Sequence, residues 1–398
     1  MNLSRLSVLV AACAMASTAS AQSLFLLNAF AVDQAGNTLV DLGGARILDD
    51  RGEVRACGQS TVMQATARLD APGFLVRLMH GATPPELSVE QWSGHGIPEW
   101  RVETPFFSGV VAVPGGGAVV SRQAVGEDVI ELQRLDTFGN ELWRSKLTRA
   151  ELAPAYYDYN VDDRGRTLFT LPRSLDGQRW QVDLGMLDAQ GKLTWRQSEI
   201  REGFSIPALV NDGQGDFWWY QAGSGTPTAS SPSIVQRLSP WGLPMFASTG
   251  PGLAAGREIE RPVAGANDTL WYLATKPDVE IELARLTAGG KLARFPTGRD
   301  LITQLVADGE GAWFSAYTGL YEFTIEHYTA DGRQWSRVLR GVRDVRLKVQ
   351  PDGDLRLIAL ESNGVSVRRI AAATGQVLWR TGKAQIERDC AALNAGKG

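Results

Sequence analysis

The stretch Arg134-Leu-Asp-Thr-Phe-Gly-Asn-Glu-Leu-Trp-Arg144 returns as Met186-Leu-Asp-Ala-Gln-Gly-Lys-Leu-Thr-Trp-Arg196 and, near the end of the chain, as Arg369-Ile-Ala-Ala-Ala-Thr-Gly-Gln-Val-Leu-Trp-Arg380. Each copy is a β-rich run, a tight turn closed by glycine and a tryptophan four residues past that glycine. Length alone, 398 residues, suggests two or three domains. A repeat with fixed punctuation overrides that expectation, because each unit is then one supersecondary module of a larger array.

Degenerate copies fill the intervals. Trp92 to Trp100 keeps Gly96 and the aromatic, and Leu238 to Phe246 keeps Gly242 with Phe246 in the tryptophan slot. Leu286 to Phe295 and Tyr328 to Trp335 shift the aromatic by one residue, and Ile47 to Ala56 keeps Gly52 but has no aromatic. The turn glycines Gly52, Gly96, Gly139, Gly191, Gly242, Gly290, Gly332 and Gly375 recur every 42 to 52 residues. A second turn recurs out of phase: Asp33–Gly36, Asp70–Gly73, Pro114–Gly117, Asp162–Gly165, Asn211–Gly215, Gly265–Asp268, Asp308–Gly311 and Pro351–Gly353. These residue types make turns because glycine tolerates positive φ, Asn and Asp bond their own backbone, and proline presets φ.

Two hairpin turns per period imply four strands per repeat, and a repeat of this length with four strands is the signature of a propeller blade. The expected fold is all-β, an eight-bladed β-propeller with four antiparallel strands per blade. Blade boundaries are expected near Ser60, Thr104, Leu152, Glu202, Ala254, Gly298 and Val342. A blade cannot bury both faces alone, so neighbours must stack and the ring must close. The aromatics Trp100, Trp143, Trp195, Phe246, Trp335 and Trp379 are expected to dock between blades, mostly buried, with each indole N–H on a backbone carbonyl.

At Ala371-Ala-Ala-Thr-Gly-Gln-Val-Leu-Trp379 the repeat resembles the tryptophan-docking repeat of the pyrroloquinoline-quinone-type propellers. The family form carries an Asp in the spacer that this copy lacks, and most other copies here lack the Thr. The resemblance implies a fold superfamily. It implies no bound quinone, because the vicinal Cys-Cys pair of the quinone dehydrogenases is missing from the sequence. No cofactor is expected.

Other chemistry has little support. His80, His95 and His327 fall in different repeats without metal-ligand spacing. Asp158-Tyr-Asn160-Val-Asp162 opens like a calcium loop, but Asp163 stands where glycine is needed and Phe169 where the bidentate Glu belongs. No Gly-x-Ser-x-Gly elbow, P-loop or sialidase-type Asp box occurs. No catalytic residue and no metal site is assigned. The innermost strands carry Arg68, Asp158, Asn160, Arg261, Arg299, Asp300, Arg346 and Lys348. Among these, Arg68, Asp158, Arg261, Arg299, Arg346 and Lys348 are candidates for binding an anion or an acidic peptide at the channel mouth. The competing reading is a hydrated channel whose charges satisfy one another.

The start of the chain reads as a targeting segment. Met1 to Arg5 carries a positive charge, Leu6 to Ala16 is almost wholly apolar, and Ala19-Ser20-Ala21 follows. This is the pattern of a secretory signal peptide over residues 1–21, too short to span a membrane. Val10-Ala-Ala-Cys13 resembles a bacterial lipobox, so lipid anchoring at Cys13 is the alternative. The propeller is then expected over 22–381 and a C-terminal tail over 382–398. No later run offers the ~20 apolar residues of a transmembrane helix.

The net charge is −4 with no Lys/Arg block, so nucleic acid is an unexpected partner. Beyond Cys13 the chain has two cysteines, Cys57 and Cys390. An even pair in an exported chain predicts a disulfide. It would tie the tail to the first blade, at the seam where first and last blades meet. Each of those blades already owns four strands, so strand exchange cannot fasten the seam.

The expected function is an exported, monomeric binding or scaffold module in the periplasm or outside the cell, whose partner is another envelope protein or peptide. It would be similar to the propeller component of outer-membrane protein assembly. The alternatives are a binder of small ligands or polysaccharide, or a propeller-type lyase or hydrolase.

Overall fold

The structure is a computed structural model. It describes residues 29–80, 86–104, 107–123, 129–148, 158–176, 179–202, 208–211, 217–221, 233–239, 241, 243–250, 262–265, 268–275, 281–307, 310–362 and 364–395. The expected targeting segment lies outside them.

Among the described residues, thirty-two strands form eight four-stranded antiparallel sheets, each built from consecutive strands. The sheets span Phe30–Cys57 (β1–β4), Thr61–Glu103 (β5–β8), Phe107–Thr148 (β9–β12) and Asp158–Glu202 (β13–β16). They continue over Ala208–Gly250 (β17–β20), Val263–Arg299 (β21–β24), Ile302–Arg340 (β25–β28) and Val342–Gly382 (β29–β32). The first strand of each sheet lies against the first strand of the next, and β29 (Val342–Val349) lies against β1 (Phe30–Val32). The sheets therefore close into a ring with their first strands innermost: an eight-bladed β-propeller. Each boundary expected from sequence falls in, or within two residues of, a gap between sheets.

The turn chemistry explains the punctuation of the repeat. At the turn between the third and fourth strands of blade three, the Asp136 carboxylate accepts the amides of Phe138 and Asn140, both at 2.8 Å. Asp188 does the same for Gln190 and Lys192, and Asp49 for Arg51 and Glu53. Ser239 replaces the aspartate in blade five and accepts from Trp241 and Leu243. One side chain thus satisfies two amides that the hairpin leaves unpaired. The register slips by one residue beside each of these turns, for example between Arg134 and Leu135 and between Met186 and Leu187. This is a β-bulge that demands positive φ at the glycine.

The same glycine serves the neighbouring blade. The Trp143 ring lies over Gly191, so close that a Cβ there would sit 2.5 Å from the ring, and Trp143 Nε1 donates to Ala189 O at 2.9 Å. Trp100 covers Gly139, Trp335 covers Gly375 with Nε1 donating to Ala372 O at 2.8 Å, and Trp379 of the last blade covers Gly52 of the first. In blade one the slot holds Ala56, whose methyl meets Gly96. Blade six, with its shifted aromatic, places Phe295 5.9 Å from Tyr328 of blade seven.

Trp100 and Trp143 are buried, whereas Trp195, Trp335 and Trp379 are half-buried. Trp195 rests against a cluster that includes Leu209 and Phe217 of the next blade. Its indole nitrogen, like that of Trp100, is buried without a hydrogen bond, so the expected carbonyl bond forms at only some copies. The side chain of Phe246 lies outside the described residues.

The seam between blades eight and one is closed without strand exchange. Cys57, at the end of β4 (Val54–Cys57), is bonded to Cys390, with the Cα atoms 5.8 Å apart. The tail carrying Cys390 is a helix, α1 (Lys383–Ala395), where the sequence predicts only a tail. Its Ile386 and Cys390 are buried with Phe30, Val40 and Val54 of blade one and Ile358 and Val367 of blade eight. The helix is thus a clasp whose apolar side belongs to both blades. No helix among the described residues is long and apolar enough to cross a membrane.

Candidate functional site

Strand alternation gives the ring two ends. One, the turn face, carries the turns joining first to second and third to fourth strands. The other, the crossover face, carries the second-to-third turns and the links between blades.

The expected channel-mouth residues are only partly brought together. Arg346 is half-buried and Lys348 exposed on innermost strand β29. Asp344 lies on the same strand; burial pushes its carboxyl above the usual range, against the pull of Arg346. Arg68 sits at the end of innermost strand β5 (Thr61–Ala67), buried, and bonds Asp70 at 2.8 Å and Glu99 at 2.6 Å. Arg299 ends β24 (Leu292–Arg299), the outermost strand of blade six, and pairs with buried Glu326 of blade seven. Its place on an innermost strand is therefore corrected: it joins two blades. Asp300 follows it in the link to blade seven, and Arg261 lies outside the described residues.

The remaining polar groups of the inner wall have a structural use. Asp158 accepts the amide of Leu209 at 3.1 Å, and Asn160 Nδ2 donates to Leu209 O at 3.3 Å, both across to blade five. Asn211 Nδ2 returns the contact to Val161 O at 2.7 Å. Gln304 bonds both the amide and the carbonyl of Leu347 in blade eight, and Gln64 Nε2 reaches Val110 O at 3.3 Å. Adjacent innermost strands belong to different sheets and share no ladder, so amide side chains supply the missing hydrogen bonds. Of the polar residues that the sequence places on the inner strands, Asp158, Asn160 and Arg299 are stitches between blades, whereas Arg68 pairs within blade two.

The histidines do not converge. His80 bonds Ser88 Oγ at 2.9 Å and Ser60 Oγ at 3.3 Å, in a chain that ends on buried Glu90, itself held by Trp92 Nε1 at 2.8 Å. His327 stacks on Trp313 at 4.4 Å, and His95 lies in a turn. Among the described residues no group of His, Cys, Asp or Glu side chains has the arrangement to hold a metal ion.

The surface feature that sequence reading missed lies on the turn face. Phe138 of blade three (79% exposed) and Trp241 of blade five (74%) occupy the same turn position, directly before the turn glycine. Around them Leu69 and Ile97 of blade two, Leu142 of blade three, Leu193 of blade four, and Leu243 and Met245 of blade five are also exposed. Blades seven, eight and one present charge at that end instead, with Arg51, Glu53, Arg55, Asp331, Arg333 and Asp352 exposed and Leu378 an isolated exception. The exposed apolar side chains of this face gather in blades two to five, interspersed with exposed charges such as Glu99, Glu141, Arg164 and Lys192. The available signal was an aromatic where a hairpin turn normally places a polar residue.

No family model matches the chain, and no curated protein matches it. Among solved structures it is similar to the Dos1 propeller, at 10% identity and a TM-score of 0.55 over 85% of this chain and 91% of that one. It is also similar to prolyl oligopeptidase B from Galerina marginata, at 12% identity and a TM-score of 0.52 over 83% of this chain and 53% of that one. The chain spans about half the length of the oligopeptidase. These likenesses show the propeller fold alone.

Proposed function

We propose that the protein is an exported binding or scaffold module of the pyrroloquinoline-quinone-type propeller superfamily that docks a protein partner on the exposed apolar side chains of blades two to five on its turn face. The observation that carries this reading is the exposure of Phe138 and Trp241 at equivalent turns, two blades apart, amid aliphatic neighbours. Large exposed aromatics are costly to leave in water and are enriched among the anchors of protein interfaces. The Cys57–Cys390 disulfide fits an oxidising compartment such as the periplasm. The use of inner-wall polar groups as stitches favours a face over the channel as the binding surface.

A photo-crosslinking side chain placed at Phe138 in cells tests the reading. It should join the propeller to one discrete envelope protein, and the adduct should disappear when Trp241 is changed to Ser. The same probe at Leu378 should give no such adduct. Absence of an adduct at Phe138, or equal adducts at both positions, would overturn the proposal.

A further inference from the structure

The crossover face carries a second patch of different character, on the opposite end of the ring. The hairpin joining β26 (Gly311–Gly319) to β27 (Glu322–Thr329) exposes Leu320 (81%) and Tyr321 (46%) at its tip. Tyr321 has φ 59°, a left-handed conformation that a tyrosine adopts at a cost and a glycine freely. Asp268 is the other non-glycine in this state among the described residues. The tip is held in place: Tyr321 O accepts the amide of Val342, the first residue of β29 in blade eight, at 3.0 Å. Tyr317 and Leu301 beside it are also exposed, and Tyr317 packs edge-on against Phe323 at 5.4 Å.

Cations border this apolar tip. The Arg343 guanidinium lies 5.4 Å from the centre of the Tyr321 ring, and Arg343 is exposed, with no ion pair among the described residues. Arg340 is exposed and meets Glu322 at 3.4 Å, a surface pair of little strength. A tyrosine kept where glycine would relieve the backbone, with its ring half open and an arginine stacked on it, is a surface arranged for contact.

We infer that Leu320, Tyr321 and Arg343 form a docking site for an acidic peptide segment with an apolar anchor. The anchor would cover Leu320 and Tyr321, and its flanking carboxylates would meet Arg343 and Arg340. Two apolar side chains at a hairpin tip flanked by two arginines match the footprint of a short peptide, and the vesicle comparison below tests an anionic membrane in its place. The site lies on the end of the ring opposite Phe138, stands independently of the proposed partner there, and would make the propeller a two-sided adaptor.

The test measures fluorescence anisotropy of a labelled peptide alternating aspartate with leucine and phenylalanine. A lysine-for-aspartate counterpart and phosphatidylglycerol vesicles serve as comparisons. The full chain should bind the acidic peptide and not the basic one. Arg343→Glu should weaken binding by at least about tenfold, the order expected when a charge contact beside a buried anchor is reversed. Tyr321→Gly is the decisive variant, because it relieves the backbone: binding should fall by a similar factor while the melting temperature holds or rises. Peptide binding unchanged in both variants would overturn the inference. So would vesicle binding that these substitutions abolish while peptide binding is absent. Phe138→Ser should leave the peptide affinity unaltered, so failure here and failure of the turn-face reading remain distinguishable.

Discussion

The guanidinium of Arg356 lies 4.5 Å from the centre of the Trp379 ring, and both side chains donate to one acceptor across the seam, the carbonyl oxygen of Asp50. Arg356 Nη2 reaches it at 3.0 Å and Trp379 Nε1 at 2.8 Å. Arg356 is fully buried and also bonds Gly36 O at 3.0 Å and Thr38 Oγ1 at 3.1 Å. With its amide oxygen turned inward, Gln350 accepts from the same guanidinium at 2.8 and 3.1 Å. The last blade therefore grips the first through one planar cation, in addition to the disulfide.

Arg356→Lys should be far from conservative. Lysine cannot span four separate acceptors in a plane or stack on Trp379. Orphaned buried carbonyls each cost ~1–3 kcal/mol, so a loss of about 3 kcal/mol is expected in urea unfolding. A loss below about 1 kcal/mol would show that the seam does not depend on this contact. Burial, followed by repulsion from Arg369, lowers the pKa of Arg356 to about 10.

Reduction of the Cys57–Cys390 bond should lower the melting temperature and expose α1 to protease before the ring unfolds. The enclosed loop is 333 residues, and chain entropy assigns loops of that size on the order of 5 kcal/mol. Cys390→Ala should reproduce the effect of reductant and abolish any further response to it. Two thiols titrating in the unfolded, unreduced protein would contradict the bond.

Trp143→Ala should cost about 3–5 kcal/mol, the range for truncating a large buried aromatic. Trp195→Ala should cost less, since Trp195 is only half-buried and its indole makes no hydrogen bond. Gly191→Ala should be costly in the native background and less so once Trp143 is removed. A double-mutant cycle in denaturant measures that coupling. Strict additivity would mean that ring and glycine do not meet.

Tyr328 should give the protein an alkaline limb. Burial, with the negative charge and hydrogen bond of Glu326, raises its phenol to about 12 from an ordinary 10. The folded state therefore holds the proton more tightly than the unfolded chain. This contribution to stability is complete below about pH 10 and is lost as pH rises through about 12. Tyr328→Phe should flatten that limb in pH-dependent melts. An ultraviolet titration with every tyrosine ionising near pH 10 would exclude it.

The number, order and limits of the blades were legible in the sequence because they rest on local chemistry. Asp136 satisfies the amides of Phe138 and Asn140 within its own turn, Gly139 supplies positive φ there, and these requirements recur wherever the chain makes the same hairpin. The pairing of Cys57 with Cys390 was legible for a related reason: in a closed ring the ends of the first and last blades must meet. Only the tertiary structure decided which polar groups are structural and which surfaces stand open. Asp158 and Asn160 look like channel-wall polar groups until the next blade brings Leu209 beside them. Arg299 looks like an inner-wall cation until Glu326 is placed against it. Phe138 and Trp241, more than a hundred residues apart, become parts of one face only when the intervening blade sets them at the same end of the ring. Turn formation depends on neighbours in the chain, whereas satisfaction and exposure depend on neighbours in space, and ring closure determines who those are.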